Sequence, residues 1–329
     1  MNLTLVDQIA KAVLYEGYML YPYRPSSIKN RQRWNFGVVY PQSYRLEGAE
    51  ISSMKMQCLV SGEANTSLEG RLRFLHLQTR VSVVAAVSSP MDGWQEAEER
   101  DVAIPELTLG ELIGNPLSHK FSFPAETHYR DESDTRKIAS CRVELRQEAV
   151  DGTVDISAEE VRDGIYKVSV VAQNTTSREI LADDRNGALL SALVSTHVVL
   201  GVRNGGFVSL LEPPQDLQDI VTQCQNVGAF PVLVGNTGDR DTLLASPIIL
   251  YDYPQIAPES AGDLFDGTEI DEILSLRILT LTDQEKQEIR QSDDRARQML
   301  ERTEAMSANQ FMKLHGVVRG LRPLKEERP

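Results

Sequence analysis

The chain has 329 residues, of which 41% are apolar and 25% charged, and its formal net charge is −14. This length can bury a sizeable core and predicts two domains, or one large domain with a substructure. The composition is that of a globular protein and excludes disorder and fibres. Because a polyanion would meet a repulsive field, the net charge disfavours nucleic acid and anionic membranes and favours protein, neutral or cationic partners. A local exception is residues 1–45, which carry six bases against Asp7 and Glu16.

The cysteines indicate a reducing compartment. Cys58, Cys141 and Cys224 are odd in number and far apart, so they predict neither a disulfide framework nor a paired metal site. The first 20 residues contain acids that interrupt the apolar run of a signal peptide, and no segment has the length of a membrane span. We therefore expect a cytoplasmic protein without a metal or cofactor.

The first half of the chain has mostly β periodicity. Residues 3–15 have the spacing of a short amphipathic helix, which Pro22 and Pro25 end. From Trp34 to about Asn174, polar and apolar residues alternate between turn residues, which predicts short antiparallel strands in a β-sandwich. The polar stretch 124–137 is predicted to be an exposed loop.

The second half mixes helices and strands. A short helix at 188–194 precedes two apolar runs separated by Asn204-Gly205-Gly206, a hairpin signal. A helix at 215–224 is followed by two strands joined by loop 236–241, which we interpret as a hairpin loop rather than a phosphate cradle because no helix follows it. Capping-box patterns at Thr268, Thr282 and Ser307 predict three C-terminal helices.

These elements predict an α+β fold, with an N-terminal antiparallel β-rich, sandwich-like region, then a mixed α/β region and C-terminal helices. Three parts are expected. Residues 1–50 form a helix and an aromatic, basic segment that packs on the C-terminal part. Residues 51–180 form the sandwich-like domain, and residues 181–329 form an α+β domain that ends in helices.

Two blocks stand out by charge and ring content. Residues 15–40 hold seven of the twenty aromatic residues and four bases, and residues 239–272 hold nine acids and one base. We expect the blocks to lie against each other, with Arg24, Lys29, Arg31 and Arg33 facing Asp252, Glu259, Asp263 or Asp266. Candidate interface residues are Tyr18, Tyr21, Tyr23, Arg24, Arg31, Arg33, Trp34, Tyr251, Asp252, Glu259, Asp263 and Asp266.

Each block has more than one interpretation. The rings and bases of the first can line the core, form a protein-docking face or stack on nucleotides. The acids of the second can bind a divalent cation, or they can stabilise a helix start or form part of an interface. The helix-start or interface role is favoured because their spacing lacks the pattern of a calcium loop. His197 follows Ser195, but without a nucleophile motif a structural histidine is favoured over a general base.

Two zones also resemble a known family. Residues 13–41 (VLYEGYMLYPYRPSSIKNRQRWNFGVVYP) and the segments HVVLGVRNGGFVSLLEPP, FPVLVG and residues 240–283 resemble an uncharacterised bacterial family encoded beside [NiFe]-hydrogenase genes. Residues 50–173 carry little of this resemblance. It implies a cytoplasmic hydrogenase-associated protein and supplies no catalytic residues.

Three functional hypotheses follow. The first is an accessory or assembly protein that presents a binding surface to a hydrogenase subunit or maturation factor. The alternative is an enzyme whose carboxylates, such as Asp252 or Glu259, act where the two blocks meet, with or without a divalent metal. A structural subunit with a large exposed apolar patch is the third.

Overall fold

The computed structural model describes residues 1–14, 34–44, 51–82, 95–133, 140–181 and 184–255, with 283, 286, 300–301 and 304–305. The chain divides into two compact units, Met1–Tyr18 with Pro25–Gln255, and Met19–Arg24 with Ile256–Pro329. All described residues up to 255 belong to the first unit. In the second, Lys286 pairs with Glu304 at 3.4 Å. The C-terminal helices predicted from Thr268, Thr282 and Ser307 lie mostly outside the described residues.

The described part of the first unit is mostly antiparallel β-sheet with few helices. Its ten strands are β1 Ser53–Ser82, β2 Gln95–Thr108, β3 Leu117–Phe123, β4 Glu126–Ser133, β5 Ser140–Gln147, β6 Val150–Arg162, β7 Ile165–Asn174, β8 Val194–Val208, β9 Phe230–Leu233 and β10 Thr242–Ser246. Its helices are α1 Leu3–Ile9, which continues as a π-helical turn Ala10–Leu14, α2 Leu109–Leu112, α3 Arg185–Leu190 and α4 Gln218–Val221, which follows a 3₁₀ turn Gln215–Leu217. No described helix is long and apolar enough to cross a membrane.

All ten strands belong to one sheet organised by β1. The order is β3-β6-β7-β1-β8-β10-β9, and β1 also pairs with β2 and β5, while β4 pairs with β5. Residues 53–61 of β1 pair with β7, residues 67–79 with β2, and β8 pairs with parts of both halves. The predicted boundary at residue 180 therefore falls inside the sheet, since β8, β10 and β9 continue it.

The alternating sequence of β1 places two cores on its two faces. Seven of its even-numbered residues lie in the main core with apolar residues of β2, β6, β7 and β8, namely Met54, Met56, Cys58, Val60, Leu68, Leu72 and Phe74. Leu75 and Leu77 point to the other face and pack in a second core with α3 and the π-helical turn. Full burial of each such side chain stabilises the fold by about 1.5–3 kcal/mol, so both faces of β1 contribute.

The prediction of an exposed loop at 124–137 was wrong. Residues Glu126–Ser133 form β4, which pairs with β5 from Glu126↔Gln147 to Ser133↔Ser140. Residues 126–129 are all exposed. Because both faces of this part of the strand meet solvent, its sequence is polar throughout and lacks the alternation that indicates a half-buried strand.

The hairpin predicted at Asn204-Gly205-Gly206 was also wrong. β8 runs unbroken from Val194 to Val208 and pairs with one strand, β1, on both sides of the glycines. A Cβ at Gly205 would lie 2.7 Å from the Thr66 side chain and 2.8 Å from the Ser61 carbonyl oxygen. The glycines therefore do not reverse the chain. They allow β8 and β1 to approach each other closely at an irregularity in the register.

Two other local interpretations agree with the structure. β9 and β10 pair as an antiparallel hairpin, so residues 236–241 form the hairpin loop, in which the Asp239 carboxylate accepts from the Asn236 amide at 2.8 Å. His197 is fully buried, and its Nδ1 lies 2.8 Å from the Ser195 carbonyl oxygen, as a structural histidine would. Burial lowers the pKa of His197 to about 4, so its ring is neutral at pH 7.

Candidate interaction surface

Of the candidate interface residues, three lie in the described part of the chain: Trp34, Tyr251 and Asp252. The other nine, Tyr18, Tyr21, Tyr23, Arg24, Arg31, Arg33, Glu259, Asp263 and Asp266, lie outside it. The predicted contact between the aromatic, basic block and the acidic block therefore also lies outside the described residues and remains a prediction.

Trp34 lines the core. Its side chain is 2% exposed and packs in the second core with Tyr40 and Tyr44. The Arg185 guanidinium donates to the Trp34 carbonyl oxygen at 3.1 Å and to Asn35 Oδ1 at 2.9 Å. These contacts tie this end of the aromatic block to α3. Of the three interpretations of the block, core lining applies to Trp34 and Tyr40.

Asp252 anchors the segment that follows β10. Its Oδ1 accepts from the Leu233 amide of β9 at 2.7 Å, and its Oδ2 accepts from the Ser209 hydroxyl at 2.5 Å. The Tyr253 amide donates to the Leu233 carbonyl oxygen at 2.7 Å. The carboxylate and the Tyr253 backbone thus satisfy both backbone groups of Leu233 at the outer edge of the sheet.

The outer edge of β9 is closed to a further strand. Hydrogen bonding alternates along an antiparallel strand, so Pro231, two residues before Leu233, has its backbone nitrogen on the same outer edge. Proline has no N–H to donate. Between Pro231 and Leu233, β9 offers an incoming strand no amide hydrogen, a common protection of edge strands.

Two apolar side chains project from this anchored segment. Tyr251 is 86% exposed and Ile249 is 73% exposed. They alternate with inward-facing groups, since Leu250 is buried, Asp252 is hydrogen-bonded and Tyr253 packs on the main core. The backbone that carries Ile249 and Tyr251 is therefore fixed on both sides of each exposed residue.

Leu211 adds a third exposed apolar residue through the same anchor. The Ser209 hydroxyl that donates to Asp252 accepts from the Leu211 amide at 3.1 Å and from the Glu212 amide at 2.8 Å. Leu211 is 49% exposed. We call Leu211, Ile249 and Tyr251 the apolar surface. Apolar side chains on an anchored backbone bind partners at a lower conformational cost, because the backbone has little freedom left to lose.

The same geometry bears on the enzyme alternative. Both oxygens of Asp252 accept structural hydrogen bonds, and Glu259 lies outside the described residues. Among the residues that the structure describes, no three His, Cys, Asp or Glu side chains are grouped to hold a metal ion. The described part of the predicted site therefore shows the geometry of an anchor.

A second polar feature, which sequence reasoning missed, lies at one end of the main core. Beyond Phe74, the inward face of β1 carries His76, Gln78 and Arg80, each at most 6% exposed. Glu98 and Glu96 of β2 lie opposite His76 and Gln78, and Arg100 lies opposite Phe74. The core thus changes from apolar to charged along the strand. We call this group, with Gln147 and Arg130, the polar network.

Two carboxylates organise the polar network. Glu98 accepts from both terminal nitrogens of Arg100 at 2.8 and 2.9 Å, in a bidentate pair. Glu96 accepts from Arg130 at 3.0 Å and from Arg80 at 3.4 Å. Three guanidinium groups therefore surround two carboxylates. Burial and the charge of Arg100 lower the pKa of His76 to about 4, so the histidine adds no charge at pH 7.

The Arg130–Glu96 contact joins strands that are not neighbours in the sheet. Arg130 lies on β4 and Glu96 on β2, with β5 and β1 between them. Their ion pair at 3.0 Å therefore ties β4 to β2 across the two intervening strands.

A sequence signal for the polar network exists in hindsight. In the run 72–77 the apolar residues change phase, from the even positions Leu72 and Phe74 to the odd positions Leu75 and Leu77. After the change, the apolar residues are buried in the second core, and the even positions that face the main core are occupied by polar residues. Burial of those positions depends on β5 and β2, which local periodicity does not reveal.

Comparison of the chain with protein-family models and with curated proteins finds no match.

Proposed function

We propose that this protein is an accessory or assembly protein that binds a protein partner through the apolar surface of Leu211, Ile249 and Tyr251. The observation that carries the proposal is the exposure of Tyr251 and Ile249 on a backbone that Asp252 and Tyr253 hold against the sheet. Aromatic residues in fixed positions are typical centres of protein interfaces.

The resemblance of two zones to a family encoded beside [NiFe]-hydrogenase genes supports the choice of partner. Ile249, Tyr251 and Asp252 all lie in one of those zones. The proposed partner is therefore a hydrogenase subunit or a maturation factor, and the proposed location is the cytoplasm. The predicted α+β fold, with helices after residue 268, is part of the same proposal.

Copurification tests this function. The tagged chain is expressed at native level in a bacterium that makes a [NiFe] hydrogenase, and bound proteins are quantified by mass spectrometry. We expect recovery of a hydrogenase subunit or maturation factor with the wild-type chain and its loss with Ile249→Ser/Tyr251→Ala. Leu181→Ser is the matched control, because Leu181 is also 74% exposed but is separate in sequence from the apolar surface. Equal recovery by all three proteins, or recovery of neither partner class, would refute the proposal.

A further inference from the structure

The apolar surface lies in an acidic part of the chain. Residues 204–255 contain six acids, namely Glu212, Asp216, Asp219, Asp239, Asp241 and Asp252, and one base, Arg240. Glu212, next to Leu211, is exposed. The Arg240 side chain is directed to β8, where its Nε donates to the Phe207 carbonyl oxygen at 2.7 Å.

The mode of binding follows from the closed edge of β9. Pro231 offers no N–H, and the backbone groups of Leu233 are already paired with Asp252 and Tyr253. A partner strand therefore cannot extend the sheet here, and contact must be made through side chains. A helix that lays one apolar face on exposed side chains is the common recognition mode of this kind.

From charge and geometry together, we infer that the apolar surface takes an amphipathic helix whose apolar face is flanked by lysine and arginine. This inference rests on the proposed function and adds the chemistry of the partner. Basic flanks would meet Glu212, which is exposed beside Leu211, whereas acidic flanks would be repelled. Such complementarity accelerates association and weakens with salt, because exposed charges are screened beyond about 8–10 Å at physiological ionic strength.

Two synthetic peptides of about 18 residues test this chemistry without the natural partner. One is an amphipathic helix of leucine and lysine, and the other has glutamate in place of every lysine. Binding of each fluorescein-labelled peptide to the full chain is measured by fluorescence anisotropy at low and high salt. We expect the lysine peptide to bind, more weakly at high salt, and the glutamate peptide not to bind.

Matched variants separate specific docking from general attraction to an acidic protein. Ile249→Ser/Tyr251→Ala keeps the net charge and should weaken binding of the lysine peptide by at least about fivefold, the effect of losing an interface centre. Leu181→Ser should leave it unchanged. Glu212→Lys should weaken binding more than Asp131→Lys, which makes the same change in net charge on β4.

The outcomes distinguish this inference from the proposed function. If the lysine peptide fails to bind, binds the double variant equally well, or binds no better than the glutamate peptide, the inference is overturned. Copurification of a hydrogenase component would then still support the proposed function. If the lysine peptide binds as expected but no hydrogenase component copurifies, the chemistry of the surface stands and the hydrogenase assignment fails.

Discussion

Substitution of Glu96 by glutamine removes the negative charge that Arg80 and Arg130 share. The side chains of Glu96 and Arg80 are 10% and 6% exposed, so their contact lies where solvent and salt screen charges little. Loss of one member of a buried ion pair costs about 3–5 kcal/mol. Arg130 is 40% exposed and can turn to water, so we expect the lower end, about 3 kcal/mol.

Glu159→Gln is the matched control for this prediction. Glu159 also pairs with a base, Lys167, but its side chain is 60% exposed. Exposed pairs contribute about 0–1 kcal/mol. Urea unfolding of both variants and the wild type, followed by circular dichroism, measures the difference. If Glu96→Gln lowers the free energy of unfolding no more than Glu159→Gln does, the polar network is not the buried ionic structure described above.

Three further predictions concern the anchor, a histidine and a glycine. Asp252→Ala should lower the free energy of unfolding by about 2–4 kcal/mol, through loss of two charge-assisted hydrogen bonds, and urea unfolding checks this. Since the pKa of His197 is lowered to about 4 from 6.5, its contribution to stability is complete above pH 6.5 and is lost as the pH falls towards 4. His197→Gln should therefore show a smaller loss of stability between pH 7 and pH 4 than the wild type, and an equal loss would contradict the assignment. Gly205→Ala should destabilise by about 1–3 kcal/mol, because its Cβ would overlap Thr66 and Ser61; an unchanged melting temperature would show that β8 and β1 are less close.

Much of the sheet could be predicted from sequence because burial on one face leaves a local record. In β6 and β7, buried and partly exposed residues alternate almost without a break, and the apolar pattern of their sequence has the same period. The hairpin of β9 and β10 was also predicted, since two short apolar runs flank a polar loop. A local sequence pattern of about ten residues is therefore enough to predict these elements.

Elsewhere the structure depends on residues that are distant in the sequence, and local sequence patterns do not predict it. The polar sequence of β4 resembles a loop because residues 126–129 are exposed on both faces of the strand, and its pairing depends on β5. The glycines of β8 resemble a turn, but they accommodate Thr66, more than 130 residues earlier in the chain. Ser209 and Asp252 likewise form an anchor only when the chain folds, because Asp252 binds both the Ser209 hydroxyl and the Leu233 amide of β9. The apolar surface could not be recognised before that arrangement was known.

The central claim is that Tyr251 lies at an interface with a protein partner. The most direct measurement is photo-crosslinking in cells that produce a [NiFe] hydrogenase, with a benzophenone amino acid at position 251 and, as the control, at position 181. We expect a crosslinked hydrogenase subunit or maturation factor from position 251 and none from position 181. Equal products from the two positions, or none from position 251, would contradict it.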